Sequence, residues 1–154
     1  MANAQQHAIR PARQDEVEVL LAMYEWLFEP PGARPPSWEP ERARAALSDA
    51  IESERSLVLV VEHGDRLIGF CTGYLDLDSV RFGLRCWVED LAVDPAHRSE
   101  GVGAGLLAQA REWATVRGAT HLELDTAETR SDAQRFYERE RPAWRSISYA
   151  WTLE

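Results

Sequence analysis

Gly101, Gly103 and Gly105 stand close behind an arginine in the stretch "HRSEGVGAG", His97 to Gly105. Before it, "GLRCWVEDLAV" is nearly continuous in apolar residues apart from Glu89 and Asp90, the pattern of a long strand. After it, Leu106, Leu107, Ala110, Trp113 and Ala114 fall on one helical face, and Gly118 sits in the left-handed cap position beyond. A chain that runs from strand through glycine turn into helix puts a helix N-terminus at the end of the strand. Its first N–H groups lack intrahelical partners and carry the positive end of the helix dipole. Gly101 and Gly103 remove side chains that would hold a pyrophosphate away from that backbone, and Arg98 supplies compensating charge. A glycine turn before a tightly packed helix explains Gly105 equally well, so the glycines alone leave both readings open.

Spacing excludes two common phosphate motifs. The dinucleotide fingerprint requires a third glycine where this chain has Leu106. The nucleoside-triphosphate loop requires lysine, and all 17 basic residues here are arginine. The same absence excludes Schiff-base and catalytic-lysine chemistry. The net charge of -9 and the lack of a basic tract disfavour a nucleic-acid partner and suit a cationic one. The opening "MANAQQHAIRPARQDE" has no apolar signal, and "LVLVV" is too short to span a bilayer, so no membrane association and a cytoplasmic location are expected. Cys71 and Cys86 lie in separate predicted strands without ligand spacing and read as buried free thiols. The four histidines show no ligand pairing by spacing, read as surface or turn residues, and no metal is expected.

At 154 residues the chain suits a single domain, 1–154, able to bury a core without staples. "HAIRP" reads as a short extended piece. Val17, Leu20, Leu21, Tyr24, Leu27 and Phe28 recur at helical spacing, and "EPPGARPPSWEP" is a shaped loop containing Trp38. A second helix opens at Pro40. "SLVLVVEHGDRLIGFCTGYL" reads as a hairpin of strands 57–62 and 67–75, "THLELD" as a short strand, and Ser131 with Gln134 as a capping box on a helix carrying Phe136 and Tyr137. Ile147, Tyr149, Trp151 and Leu153 alternate with smaller or polar residues, predicting a final half-buried strand. The order predicts an α/β (α+β) fold, a mixed sheet with helices on both faces.

With these elements in place, "VEDLAVDPAHRSEGVG" followed by a helix resembles the GCN5-related N-acetyltransferases (GNAT). Their acetyl-CoA signature, Arg/Gln-x-x-Gly-x-Gly/Ala, is filled here by Arg98, Gly101 and Gly103. "SDAQRFYERE" is similar to the family's Ala-x-x-Phe-Tyr element through Ala133, Phe136 and Tyr137. The chain departs from the pattern at Arg130, where the family often has asparagine. It departs again at "RPAW", where Gly-Phe or Gly-Tyr is usual, with Trp144 standing in for the aromatic. The resemblance implies a mostly antiparallel sheet of about six to seven strands, a dimer as is common among relatives, and acetyl-CoA as cosubstrate. It implies CoA contacts from Leu91, Ala92, Val93, Arg98, Ser99, Glu100, Gly101, Val102, Gly103, Ala104, Arg130, Ala133 and Tyr137. The Glu100 side chain is expected to point into solvent.

Acetyl transfer from a thioester to an amine by direct attack in a ternary complex needs a neutral amine, a polarised carbonyl and a proton for the thiolate. A primary alkylamine is mostly protonated near neutrality, so a carboxylate must accept its proton. Strict alternation puts Trp87, Glu89, Leu91 and Val93 on one face and Val88, Asp90 and Ala92 on the other, which separates the two acids. The resemblance favours Glu89 as base and amine binder, with Asp90 second; Tyr137 is the expected acid. Backbone N–H groups of Leu91 to Val93 would polarise the carbonyl if the strand is bulged and splayed. The resemblance puts the acceptor beside Tyr24, Trp26, Phe28, Trp38, Asp76, Glu89 and Asp90, aromatic faces and carboxylates that suit a small cation. A polyamine, an aminoglycoside or an amino-acid-like amine fits. The alternatives are a protein lysine or N-terminal acetyltransferase and a non-catalytic acyl-CoA sensor.

Overall fold

A computed structural model describes residues 7–153. The chain divides into two compact units, Met1–Leu124 and Asp125–Glu154. In the first, strands β1 (Ala8–Pro11), β2 (Ser56–His63), β3 (Arg66–Ser79), β4 (Gly83–Val93) and β5 (His121–Glu123) form one sheet in sequence order. The first four are antiparallel neighbours, and β5 runs parallel to β4. The parallel step is made by helix α4 (Val102–Val116), the crossover that parallel strands require. The β2–β3 hairpin turns at Gly64 with φ 64°.

Burial on both faces explains the aliphatic run of β2. Val58 and Val60 pack under α1 (Val17–Met23) and α3 (Pro40–Glu52) with Leu20, Met23, Leu47, Ala50, Phe70 and Ala92. Leu57, Leu59 and Val61 face the other way, toward Val102, Leu106 and Ala110 of α4. Each such aliphatic side chain contributes about 1.5–3 kcal/mol by leaving water. The helices therefore lie on both faces of a mixed sheet, as the sequence order predicts. Gly105 serves this packing, since a Cβ there would stand 2.9 Å from Ile9 Cδ1.

Several local expectations are corrected. The helical pattern over 17–28 breaks at Tyr24 into α1 and a one-turn α2 (Glu25–Phe28). Among the described residues, the sheet has five strands rather than six or seven. In the second unit, α5 (Ser131–Arg139) forms, but residues 141–153 are in no strand, and Ile147, Tyr149, Trp151 and Leu153 are exposed. Alternation makes a segment amphipathic, whereas a strand also needs a ladder partner. The serine capping box is absent because Arg130, not Ser131, is the N-cap residue; the Gln134 amide donates instead to the carbonyls of Ala127 and Glu128. Among the described residues, no helix is long and apolar enough to cross a membrane.

Candidate active site

Strand β4 ends in a built turn. The buried Asp94 donates its amide N–H to the Ile68 carbonyl at 2.8 Å, while its Oδ1 accepts from the Ala96 amide at 2.9 Å. A short 3-10 turn, Pro95–His97, leads into the exposed Arg98, Ser99 and Glu100. Gly101 caps α4 at φ 81°, a left-handed conformation that costs side-chain-bearing residues about 1–2 kcal/mol, and nothing would meet a Cβ there. The Gly105 amide makes the helix bond back to the Gly101 carbonyl at 3.0 Å. The amides of Val102, Gly103 and Ala104 precede that bond, so they are orphan donors at the positive end of α4. This backbone fits a diphosphate: open at Gly101, rich in donors and flanked by the exposed Arg98.

Strand β4 is bulged beside this turn. Val88 pairs with Gly73 and Asp90 with Thr72, leaving Glu89 as the extra residue. The ladder to β5 runs only from Arg85↔His121 to Trp87↔Glu123. Beyond it, Leu91, Ala92 and Val93 pair with Cys71, Phe70 and Gly69 on the β3 side alone, among the described residues. One backbone edge of this stretch is thus left without a strand partner. The bulge also corrects the facing predicted by alternation. Val88 packs toward α4 with Leu91 and Val93, while Ala92 belongs to the core under α1 and α3, where Tyr24 reaches Asp90. Inserting one residue resets the period, so the argument that separated Glu89 from Asp90 does not hold.

The two acids have different surroundings. Glu89 is exposed and accepts from the Trp87 indole N–H at 2.6 Å. Asp90 is half-buried, and its Oδ2 accepts from the Tyr24 and Thr72 hydroxyls, each at 2.7 Å. The Asp90 amide in turn donates to Thr72 Oγ1 at 3.1 Å. Burial pushes the Asp90 carboxyl above the usual carboxylate range, although both hydroxyls oppose the shift; the nearby Glu89 charge adds to it. Burial, then the Asp90 charge, holds the Tyr24 phenol far above its ordinary value, and the same causes raise Tyr74. Thr72 and Tyr74 were not foreseen. The only sequence signal for Thr72 is a hydroxyl in an otherwise apolar strand.

Three of the expected acceptor residues converge on this network. The Tyr24 ring lies 5.7 Å from Trp38 and 6.3 Å from Phe28, and Phe28 lies 4.9 Å from Trp38. The proline-rich loop is therefore folded onto the aromatic face of α2, where Arg34 stands 5.3 Å over Phe28. Trp26 points elsewhere, lining a separate cavity with Arg10, Glu16 and Leu67. Asp76 lies within β3 and grips Arg85 through two hydrogen bonds, at 3.0 and 2.8 Å. Its charge is thereby matched inside the protein.

The Glu100 side chain is not simply in solvent, since its Oε2 lies 2.9 Å from His97 Nδ1. In the second unit Ala133, Phe136 and Tyr137 lie on α5, with Arg130 as N-cap and the Phe136 and Tyr137 rings 5.0 Å apart. Both cysteines are buried free thiols; burial raises Cys71 strongly and pushes Cys86 up to about 11, so neither is a ready nucleophile.

The chain matches the sequence profile of the Acetyltransferase (GNAT) family over residues 20–141. It is 33% identical to the uncharacterized N-acetyltransferase YhfO of Bacillus subtilis over 96 residues, 62% of this chain and 64% of that protein. It is 32% identical over 85 residues to a streptothricin acetyltransferase of Streptomyces lavendulae, covering 55% of this chain and 42% of that protein. The chain thus spans less than two thirds of the length of these relatives. The crystal structure of aminoglycoside N-acetyltransferase AAC(6')-Iy in complex with CoA shares the fold, with a TM-score of 0.79, 18% identity and coverage of 99% of both chains.

Proposed function

Because the chain belongs to the acetyltransferase (GNAT) family, we propose that it transfers an acetyl group from acetyl-CoA to the primary amine of a small cationic molecule. The observation that carries this reading is the left-handed Gly101 at the open N-terminus of α4, directly after a bulged strand that presents Glu89 and Asp90. The α4 amides and Arg98 hold the diphosphate of the donor. Unpaired backbone donors along residues 91–93 polarise the thioester carbonyl, which weakens the bond to sulfur as the amine attacks.

Glu89 accepts the amine proton, directly or through water, because it is the exposed acid on the bulge. Asp90 fixes Tyr24, and through it the aromatic face that receives the acceptor. Tyr137 is assigned the proton delivered to the departing thiolate, on the likeness of Ala133-x-x-Phe136-Tyr137 to the family element. A small acceptor is favoured over a peptide by Trp38, which closes the loop over Tyr24 and Phe28. The streptothricin and aminoglycoside acetyltransferases named above are consistent with that choice.

The test is thiol release from acetyl-CoA across polyamines, aminoglycosides, amino acids and lysine peptides. Turnover with a small polyamine or aminoglycoside supports the proposal. Turnover confined to peptides refutes the acceptor class, and tight CoA binding with no turnover on any amine identifies a sensor.

A further inference from the structure

Three histidines far apart in sequence meet at one end of the sheet. His7 immediately precedes β1, His63 ends β2, and the register Ala8↔Glu62 brings those ends together; His97 closes the turn before α4. The His63 ring lies 5.0 Å from His7 and 4.8 Å from His97, and His7 lies 6.1 Å from His97. Glu100 turns back into this group, its Oε2 2.9 Å from His97 Nδ1 and 3.7 Å from His7 Nε2. One ligand atom each from His7, His97 and Glu100 lies within 4.8 Å of the others. Tetrahedral zinc ligands at about 2.0–2.1 Å from the metal stand roughly 3.3 Å apart, so small side-chain rotations suffice to close the set.

A second observation comes from His63. Among the described residues, its Nδ1 is buried without a hydrogen-bond partner, an arrangement that native interiors avoid unless an ion or water completes it. His7 and His97 both bring a ring nitrogen to the Glu100 carboxylate, and a neutral imidazole offers one lone pair that can ligate a cation. The donor set is imidazole and carboxylate, which suits Zn2+, Co2+ or Ni2+ rather than the all-oxygen preference of Ca2+ or Mg2+.

We infer that His7, His97 and Glu100, with His63 beside them, form a binding site for a divalent transition metal of the zinc class. The ion ties the turn before α4 to the β1–β2 end of the sheet and neutralises the Glu100 carboxylate next to Gly101. The inference stands apart from the acetyl-transfer reading, because its test uses neither CoA nor an amine.

Tag-free, metal-stripped protein is titrated with Co2+ and followed by visible absorption, and Zn2+ is then added as competitor. The expected result is saturation at one equivalent with bands of tetrahedral intensity, abolished by Zn2+. His97→Ala and Glu100→Gln should each weaken Co2+ binding at least about 10-fold while keeping a native circular dichroism spectrum, and His121→Ala should leave it unchanged. Absence of saturable one-to-one binding overturns the inference, as does equal binding by folded His97→Ala and Glu100→Gln.

Discussion

The Tyr24 hydroxyl donates to Asp90 Oδ2 at 2.7 Å, joining the end of the first helix to the strand just past its bulge. Tyr24→Phe removes a bond to a half-buried carboxylate and should cost about 1–2 kcal/mol of stability, read by denaturant unfolding. Asp90→Asn supplies the pH signature. The folded state holds the Asp90 proton more tightly than the unfolded chain, so this group lowers stability as pH rises from the ordinary carboxylate range through its raised value. The Tm of Asp90→Asn relative to the parent should therefore improve between pH 4 and pH 7. A relative Tm that worsens over that span would contradict the assignment.

Glu89→Gln leaves the bulge and the Trp87 contact sterically intact but removes the proton acceptor. The expected kcat loss near neutrality is on the order of 100-fold or more, with the remaining activity displaced to higher pH, where more amine is already neutral. An unaltered pH profile would move the base elsewhere.

Trp38→Ala opens the aromatic cluster without touching the turn before α4. Acceptor KM should rise about 10-fold while CoA affinity stays constant, as expected when uniform binding is lost. Equal losses for both ligands would mean that Trp38 supports the fold and not the acceptor site.

Tyr137→Phe should lower kcat more than CoA affinity if the phenol supplies the thiolate proton, by about 10–100-fold in single-turnover assays. Unchanged kcat would remove Tyr137 from the mechanism.

The parts of this molecule legible in sequence are those governed by local pattern. The whole of β4 follows from its apolar run, the turn at Gly101 from glycine spacing, and the two-sided core from the β2 aliphatics. What escaped depends on tertiary pairing. A bulge at Glu89 leaves no mark in the alternation that it resets. Asp76 looks available until the cross-strand partner Arg85 is seen, and Trp26 shares a helical segment with Tyr24 but faces another cavity. The meeting of His7, His63 and His97 is created by the β1–β2 register, which no spacing rule anticipates.

Calorimetric titration of CoA into the parent protein and Gly101→Val tests the central claim most directly. The expected result is one CoA per chain with a Kd on the order of 1–100 µM, in line with common cosubstrate affinities, and at least about 10-fold weaker binding by the folded variant, whose valine resists the left-handed cap. No heat with the parent protein, or the same affinity in both, would contradict the account.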